Sequence, residues 1–300
     1  MLFHVQFDAV DGPRLLKPQK LAIQVGVTHR LRIAPTATAT RPSRCSSESH
    51  PFPGSRLETY EQIAQAYAAR TRENPHNALC ERPATLALLG DLDAARMLEV
   101  GCGPGHYAEE LVRRGCNLDS FDINPTFVAQ THARVGDRAH VFVHDVAAPW
   151  SFASASTYDQ ILAALVLDYV DDWSGILAEC RRVLRPGGAV VASIVHPFAS
   201  IEASPSKDYF RQEVIEERWP SYGVTIRCFR RSLTDVFGAF IGAGFTIDAL
   251  IEPAPLPECA ERYPEKFQRL SARPGFLCLR ARRSRPHKAS AAFEHLRRHQ

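Results

Sequence analysis

The 300-residue chain has no closely spaced cysteines, no long apolar run, no internal repeat and no marked excess of one charge. Its eight cysteines stand at 45, 80, 102, 116, 180, 228, 259 and 278, never fewer than 14 positions apart, so no CxxC pair offers a zinc or redox site. No other metal-ligand spacing is present, and no metal is expected. Several cysteines fall within apolar stretches, which reads as reduced, buried thiols in a cytoplasmic protein and not as a disulfide framework. The longest unbroken apolar run is Ile161–Leu167, far short of the ~18 residues that a membrane span needs. A positive start followed by an apolar core is missing from the N-terminus, so no secretory signal is expected.

What is present is ordinary globular composition, 45% apolar and 23% charged, which excludes wholesale disorder and a fibrous repeat. The formal net charge is +3, but it is unevenly spread. Residues 1–55 hold seven Lys/Arg against three acids and 284–300 hold four against one, leaving 25 basic and 29 acidic side chains in 56–283. A nucleic-acid enzyme concentrates positive charge on its folded body, where it meets phosphates. The mildly acidic middle points away from nucleic acid.

The first 55 residues carry six prolines and the low-complexity stretch Ala34–Thr40, and read as a flexible extension. The basic, polar segment 284–300 reads as a flexible tail. Between them helices and strands alternate. One helix has Tyr60, Ile63, Ala64, Tyr67 and Ala68 on one face, and a second covers about 80–89, stopped by Gly90. Strand Arg96–Val100, a glycine-rich turn, a helix ending at Gly115 and strand Leu118–Asp122 follow. Asn124 and Pro125 then open a helix as N-cap and first residue. Strands His140–His144 and Tyr158–Leu165, a helix near 173–184 and strand Ala189–Val195 continue the pattern. The alternation predicts right-handed crossovers, hence an α/β, doubly wound, mostly parallel sheet with helices on both faces.

After Val195 the rhythm breaks over 196–231. Tyr209–Trp219 and Gly223–Phe229 tend toward alternation around the turn signal Pro220–Gly223, predicting a small antiparallel ribbon, either a cap laid over the active-site mouth or an edge hairpin with ordinary packing. Ser232–Asp235 forms a capping box for a helix running toward Gly244, and strands Phe245–Ile251 and Gly275–Arg282 close the domain of 56–283.

The informative segment is Leu98–His106, LEVGCGPGH. A strand-to-helix turn with Gly101, Gly103 and Gly105 lets a ligand approach the backbone where a Cβ would otherwise stand. The dinucleotide fingerprint GxGxxG fails, because His106 occupies its last position. That argues against a nicotinamide dehydrogenase. Glu99, two residues before the first glycine, suits a cation better than a pyrophosphate.

On these residues the chain, from about Tyr60 to Arg282, resembles the class I S-adenosylmethionine-dependent methyltransferases, in particular the small-molecule type 11 group. The resemblance implies a seven-stranded sheet with an antiparallel last strand and S-adenosylmethionine as cofactor. It carries cofactor contacts onto Glu99, Gly101, Cys102, Gly103 and Gly105 of the turn. Asp122, with Ile123 beside it, falls where the family's carboxylate accepts from the ribose hydroxyls. Asp145 and Val146 fall where it binds adenine, and Ala163, Ala164 and Leu165 where strand four flanks the sulfonium. Tyr60 and Tyr67 match tyrosines that close the cofactor pocket, and Leu184–Gly188 matches the turn before strand five, with Arg185 for the usual lysine. Each position keeps a plainer alternative. Asp122 also reads as a cap of the next helix, Asp145 as a solvated strand-end acid and Cys102 as a small residue in a crowded turn.

Methyl transfer is an in-line displacement in which the protein holds the acceptor ~3–3.5 Å from the reactive carbon, excludes water and removes a proton from an OH or NH acceptor. The residues to examine sit at the carboxyl ends of the strands. His196 after strand five is a candidate base, since imidazole titrates near neutrality, with a turn-shaping role as its rival. Asp168 and Tyr169 after strand four are further candidates, and His106 and His144 border the cofactor. Phe198, Trp219 and Tyr222 are candidate acceptor walls. The expected reaction is methyl transfer to a small organic acceptor through O, N or C. An RNA or protein methyltransferase with the same core, or a non-catalytic cofactor-binding protein, is the alternative.

Overall fold

The computed structural model describes residues 56–284, so the expected extension 1–55 and the tail beyond 284 lie outside the described residues. Ser284 itself still joins the sheet: its N–H donates to Gly244 O at 3.3 Å and its hydroxyl meets Thr246 Oγ1 at 3.0 Å.

In chain order the elements are α1 (Arg56–Glu73), α2 (Arg82–Leu89), β1 (Arg96–Val100), α3 (His106–Arg113), β2 (Asn117–Asp122), α4 (Pro125–Val135), β3 (Ala139–Val143), β4 (Tyr158–Ala164), α5 (Trp173–Val183) and β5 (Leu184–Val195). They are followed by α6 (Pro197–Ser200), β6 (Glu213–Trp219), β7 (Val224–Arg230), α7 (Leu233–Gly242), β8 (Phe245–Ile251), α8 (Glu258–Arg262), α9 (Pro264–Ala272) and β9 (Phe276–Arg283). Seven strands form one sheet in the order β3-β2-β1-β4-β5-β9-β8, and β9 alone runs antiparallel to its neighbours. This is the doubly wound class I methyltransferase arrangement.

The central strands are buried on both faces, which is why they read as unbroken apolar runs. Ile161 and Ala163 of β4, with Val190, Ala192 and Ile194 of β5, face a cluster completed by Trp173 and Leu177 of α5 and Phe240 of α7. Leu162 and Val191 face the opposite cluster, with Leu86 and Leu89 of α2, Leu111 of α3 and Val135 of α4. The caps form as the residue types require. Asn124 accepts from the N–H groups of Thr126 and Phe127, Asp172 accepts from Ser174, and the Ser232–Asp235 capping box closes both ways.

Two elements depart from expectation. β5 begins at Leu184 and not Ala189, because the Arg185–Gly188 segment continues as a bulged extension of the strand. Helices α8 and α9 fill the stretch before β9, where two short pieces between prolines give little apolar periodicity. The ribbon forms as predicted: β6 and β7 pair antiparallel, and Pro220–Gly223 turns between them with Tyr222 and Gly223 N–H donating to Trp219 O.

Candidate functional site

The turn between β1 and α3 is built around Phe121 and Asp122. Gly101 and Cys102 both donate their N–H to Phe121 O at 2.9 Å. Gly103 N–H donates to one oxygen of Asp122 and Asn124 N–H to the other, each at 2.9 Å. The carboxylate is thereby locked at the edge where the turn and the N-terminus of α4 converge. Burial pushes its pKa up, and the backbone donors oppose that rise.

The three glycines are not equivalent. At Gly103 (φ +50°) an added Cβ would meet nothing within 4 Å, so space opens beside it. At Gly101 a Cβ would stand 2.7 Å from Val166 Cγ2, and at Gly105 2.8 Å from the backbone of Thr131. Only Gly103 fits the expectation that its missing side chain leaves room for a ligand; the other two are glycine because protein packs there. Glu99 is buried behind the turn, where its carboxylate accepts from Ser120 Oγ at 2.6 Å and burial raises its pKa to about 8.

A cavity of about 510 Å³ lies over this turn. Of the positions expected to touch a cofactor, it brings together Tyr60, Tyr67, Gly101, Cys102, Gly103, Asp122, Ile123, Asp145, Val146, Ala164 and Leu165. Glu99 and Gly105 are outside its lining and lie behind the turn. Asp145 is exposed and accepts from Ala147 N–H at 2.9 Å, so the cavity and the local turn share it. His106 and His144 also line the cavity. His106 Nε2 sits 3.2 Å from both Thr71 Oγ1 and Ala68 O, and burial lowers its pKa to about 4. His144 is wedged edge-on against Phe121 and Phe152, and its Nε2 is buried with no hydrogen-bond partner among the described residues.

A second cavity, of about 780 Å³, adjoins the first and shares Tyr67, Thr71, Asn77, Leu165 and Tyr169 with it. Asp168, Phe198, Trp219 and Tyr222 line it. Leu165, the residue after β4, has φ +52°, a left-handed conformation costly for a leucine (roughly 1–3 kcal/mol), of the kind that clusters at functional sites. Asp168 is buried. One carboxylate oxygen accepts from Val195 N–H at 2.9 Å, and burial raises its pKa to about 7 against the opposing pull of that donor and Arg231.

His196 is absent from the linings of both cavities, although its neighbours Val195 and Pro197 line the larger one. Its side chain is fully buried, and Nδ1 accepts from Phe198 N–H at 3.1 Å, capping α6. Nε2 lies 2.9 Å from Glu252 Oε1, within ion-pair distance but off the line of a well-formed hydrogen bond. Desolvation lowers its pKa while Glu252 works the other way. Nδ1 is thus taken up by the cap of α6, while Nε2 faces Glu252.

Sequence reasoning missed Glu81 and Arg82, which line the first cavity from the start of α2. Glu81 is buried, its Oε1 accepting from Thr85 Oγ1 at 3.0 Å, Tyr107 OH at 2.6 Å and Ser193 Oγ. Arg82 donates to Thr71 O at 2.9 Å, yet its Nε is buried without a partner among the described residues. The available signal was spacing: Glu81, Thr85 and Leu88 or Leu89 share one helix face, so an acid at 81 points inward.

The model of a family described as a methyltransferase domain matches residues 98–192. A ubiquinone biosynthesis O-methyltransferase from Vibrio cholerae is 29% identical over 103 residues, 34% of this chain and 42% of that protein. One from Leptothrix cholodnii is 30% identical over 111 residues, 36% of this chain and 47% of that protein. The alignments thus span less than half the length of these curated relatives. Among solved structures, an S-adenosylmethionine-dependent methyltransferase from Mesorhizobium loti superposes with a TM-score of 0.61 at 23% identity, covering 71% of this chain and all of that one. At that identity the likeness establishes the fold.

Proposed function

We propose that this chain binds S-adenosylmethionine in the smaller cavity and transfers its methyl group to a small organic acceptor held in the larger one. The observation that carries this reading is the shared wall. Two cavities at the carboxyl edge of a parallel sheet meet at Tyr67, Leu165 and Tyr169, where a donor in one and an acceptor in the other would come together.

The residues present fit the cofactor. Gly103 leaves room for a ligand, and Arg82 Nε and His144 Nε2, buried with no partner among the described residues, are polar atoms that it would satisfy. Glu81 and Arg82 offer opposite charges to the ammonium and carboxylate of its amino-acid end. Asp122 offers a carboxylate to the ribose hydroxyls, and Asp145, Val146 and His144 border the adenine. When bound, the cofactor supplies an electrophilic methyl carbon.

The chain's own contribution is positioning, exclusion of water and proton removal. Tyr60, Tyr67 and Tyr169 roof the junction: Tyr60 and Tyr169 hydroxyls meet at 2.6 Å, and Trp219 of the cap stacks on Tyr67 with centroids 6.1 Å apart. The segment 196–231 therefore acts as a cap over the acceptor. Asp168, with one oxygen fixed by Val195, keeps the other for the proton of an OH or NH acceptor. A carboxyl poised near neutrality is suited to that task. The curated relatives are O-methyltransferases by name, which supports oxygen as the accepting atom.

The test is a thermal-shift titration of the full chain. S-adenosylmethionine and S-adenosylhomocysteine should raise Tm, a ligand at 100 times its Kd adding ~2.7 kcal/mol, whereas NAD should not. A shift with NAD alone overturns the reading.

A further inference from the structure

We infer that the acceptor is anionic, its carboxylate or phosphate group seated at the mouth of the larger cavity among Arg218 of β6, Arg269 of α9 and Arg273 just after that helix. This deepens the methyl-transfer reading and rests on it. Residues 56–283 carry more acids than bases, yet five arginines line this one cavity. Two of the five are committed to structure. Arg230 is buried against Glu213 and donates to the carbonyls of Tyr209, Asp208 and Arg211. Arg231 donates to the carbonyls of Val170 and Asp171 and lies over the Trp173 ring, 4.6 Å from its centroid.

The other three are available. Arg218 and Arg269 have no carboxylate partner among the described residues, and both are exposed at the cavity. Arg273 pairs with Glu202 at 3.1 Å, but the two side chains are 75% and 67% exposed, so water screens the pair and an incoming anion can displace it. Guanidinium forks recognise carboxylate and phosphate oxygens with bidentate geometry.

The rest of the cavity orients such a ligand. Phe198, Trp219 and Phe276 give apolar walls, while the only buried acid of the lining, Asp168, lies beside the junction with the smaller cavity. Like charges repel, so the anionic end is driven away from Asp168 toward the arginines. That leaves the opposite, proton-bearing end facing Asp168 and the shared wall. Glu202 and Glu217 also line the cavity, but both are exposed, so solvent screens them more than it screens the buried Asp168.

The experiment is calorimetric titration of the full chain, with and without S-adenosylhomocysteine, using 2-naphthoate, 2-naphthyl phosphate and the uncharged 2-naphthamide. The anions should bind at least tenfold more tightly than the amide, and raising the ionic strength should weaken the anions alone. The stronger of the two anions identifies the source as carboxylate or phosphate. Arg269→Gln combined with Arg273→Gln, or Arg218→Gln, should remove most of that advantage while leaving S-adenosylhomocysteine affinity unchanged. Equal affinity for all three probes, no binding by any, or an anion advantage indifferent to salt and to these substitutions overturns the inference. Failure of S-adenosylhomocysteine to bind would count against the methyl-transfer reading separately, because the probe comparison is also made without it.

Discussion

The hydroxyls of Tyr60 and Tyr169 meet at 2.6 Å although 109 residues separate them in the chain. Tyr60 belongs to the first helix and Tyr169 to the short turn after β4, so this contact fastens α1 across the mouth of the sheet. Tyr67, one face further along α1, stacks on Trp219 at the tip of the cap and packs edge-on to Tyr60. Helix and hairpin thus clasp each other above the junction of the two cavities. Tyr60→Phe should cost about 0.5–1.5 kcal/mol of stability and weaken S-adenosylhomocysteine binding severalfold, measured by denaturant unfolding and calorimetry. An unchanged affinity would detach α1 from the ligand's roof.

Asp122 is held by two backbone N–H donors and borders the smaller cavity. Asp122→Ala removes an acceptor of ligand hydroxyls and should cost ~1.5–3 kcal/mol of cofactor binding, roughly tenfold to over a hundredfold in Kd. A folded variant that binds as well as the unmodified protein would move the ribose elsewhere.

The glycine turn separates ligand space from packing. Gly103→Ala meets no neighbour, so beyond a left-handed backbone cost of about 1 kcal/mol the fold should survive while cofactor affinity falls. Gly105→Ala drives a Cβ against Thr131 backbone and should lower Tm more than Gly103→Ala does. Paired melting curves and binding titrations distinguish the two; the reverse ranking would place the ligand against Gly105.

Asp168 gives a pH signature. Its folded pKa of about 7 lies above the ordinary carboxyl value, so the folded state holds this proton more tightly than the unfolded one. Its contribution to stability is therefore greatest below the unfolded pKa of ~3.9 and declines as pH rises through about 7. Glu99, raised to about 8, adds in the same direction. Asp168→Asn keeps an acceptor for Val195 N–H, so it should melt above the unmodified protein at alkaline pH and not at acidic pH. Its kcat should drop ~10²- to 10⁴-fold with an OH or NH acceptor while KM changes little. In the unmodified protein, activity should fall as pH drops through about 7. Full kcat in the variant would leave proximity to carry the reaction.

His196 should behave as a structural residue. His196→Ala removes the cap of α6 and should cost about 1 kcal/mol of stability, while kcat at saturating acceptor stays within a few fold. A loss comparable to that of Asp168→Asn would restore it as the base.

Local patterns in the sequence were enough to specify the strands, the caps at Asn124 and Ser232, the glycine turn and the hairpin with its turn at Pro220–Gly223. Each depends on residues within a few positions of one another: a period of two, an N-cap with its third neighbour, glycine where φ is positive. The strand-end rule then placed Asp122, Asp145, Leu165 and Asp168 along one edge of the sheet, because parallel crossovers bring every carboxyl end to the same side. Side-chain direction and long-range company lay beyond that reach. His196 and Asp168 both follow a strand end, yet one turns into its own helix cap and the other into a cavity. Glu81 becomes a cavity wall only because Thr85, Tyr107 and Ser193, from α2, α3 and β5, converge on it. Backbone propensity is settled by neighbours in the chain. Burial, charge state and the facing of a side chain are settled by packing between elements that the chain brings together from far apart.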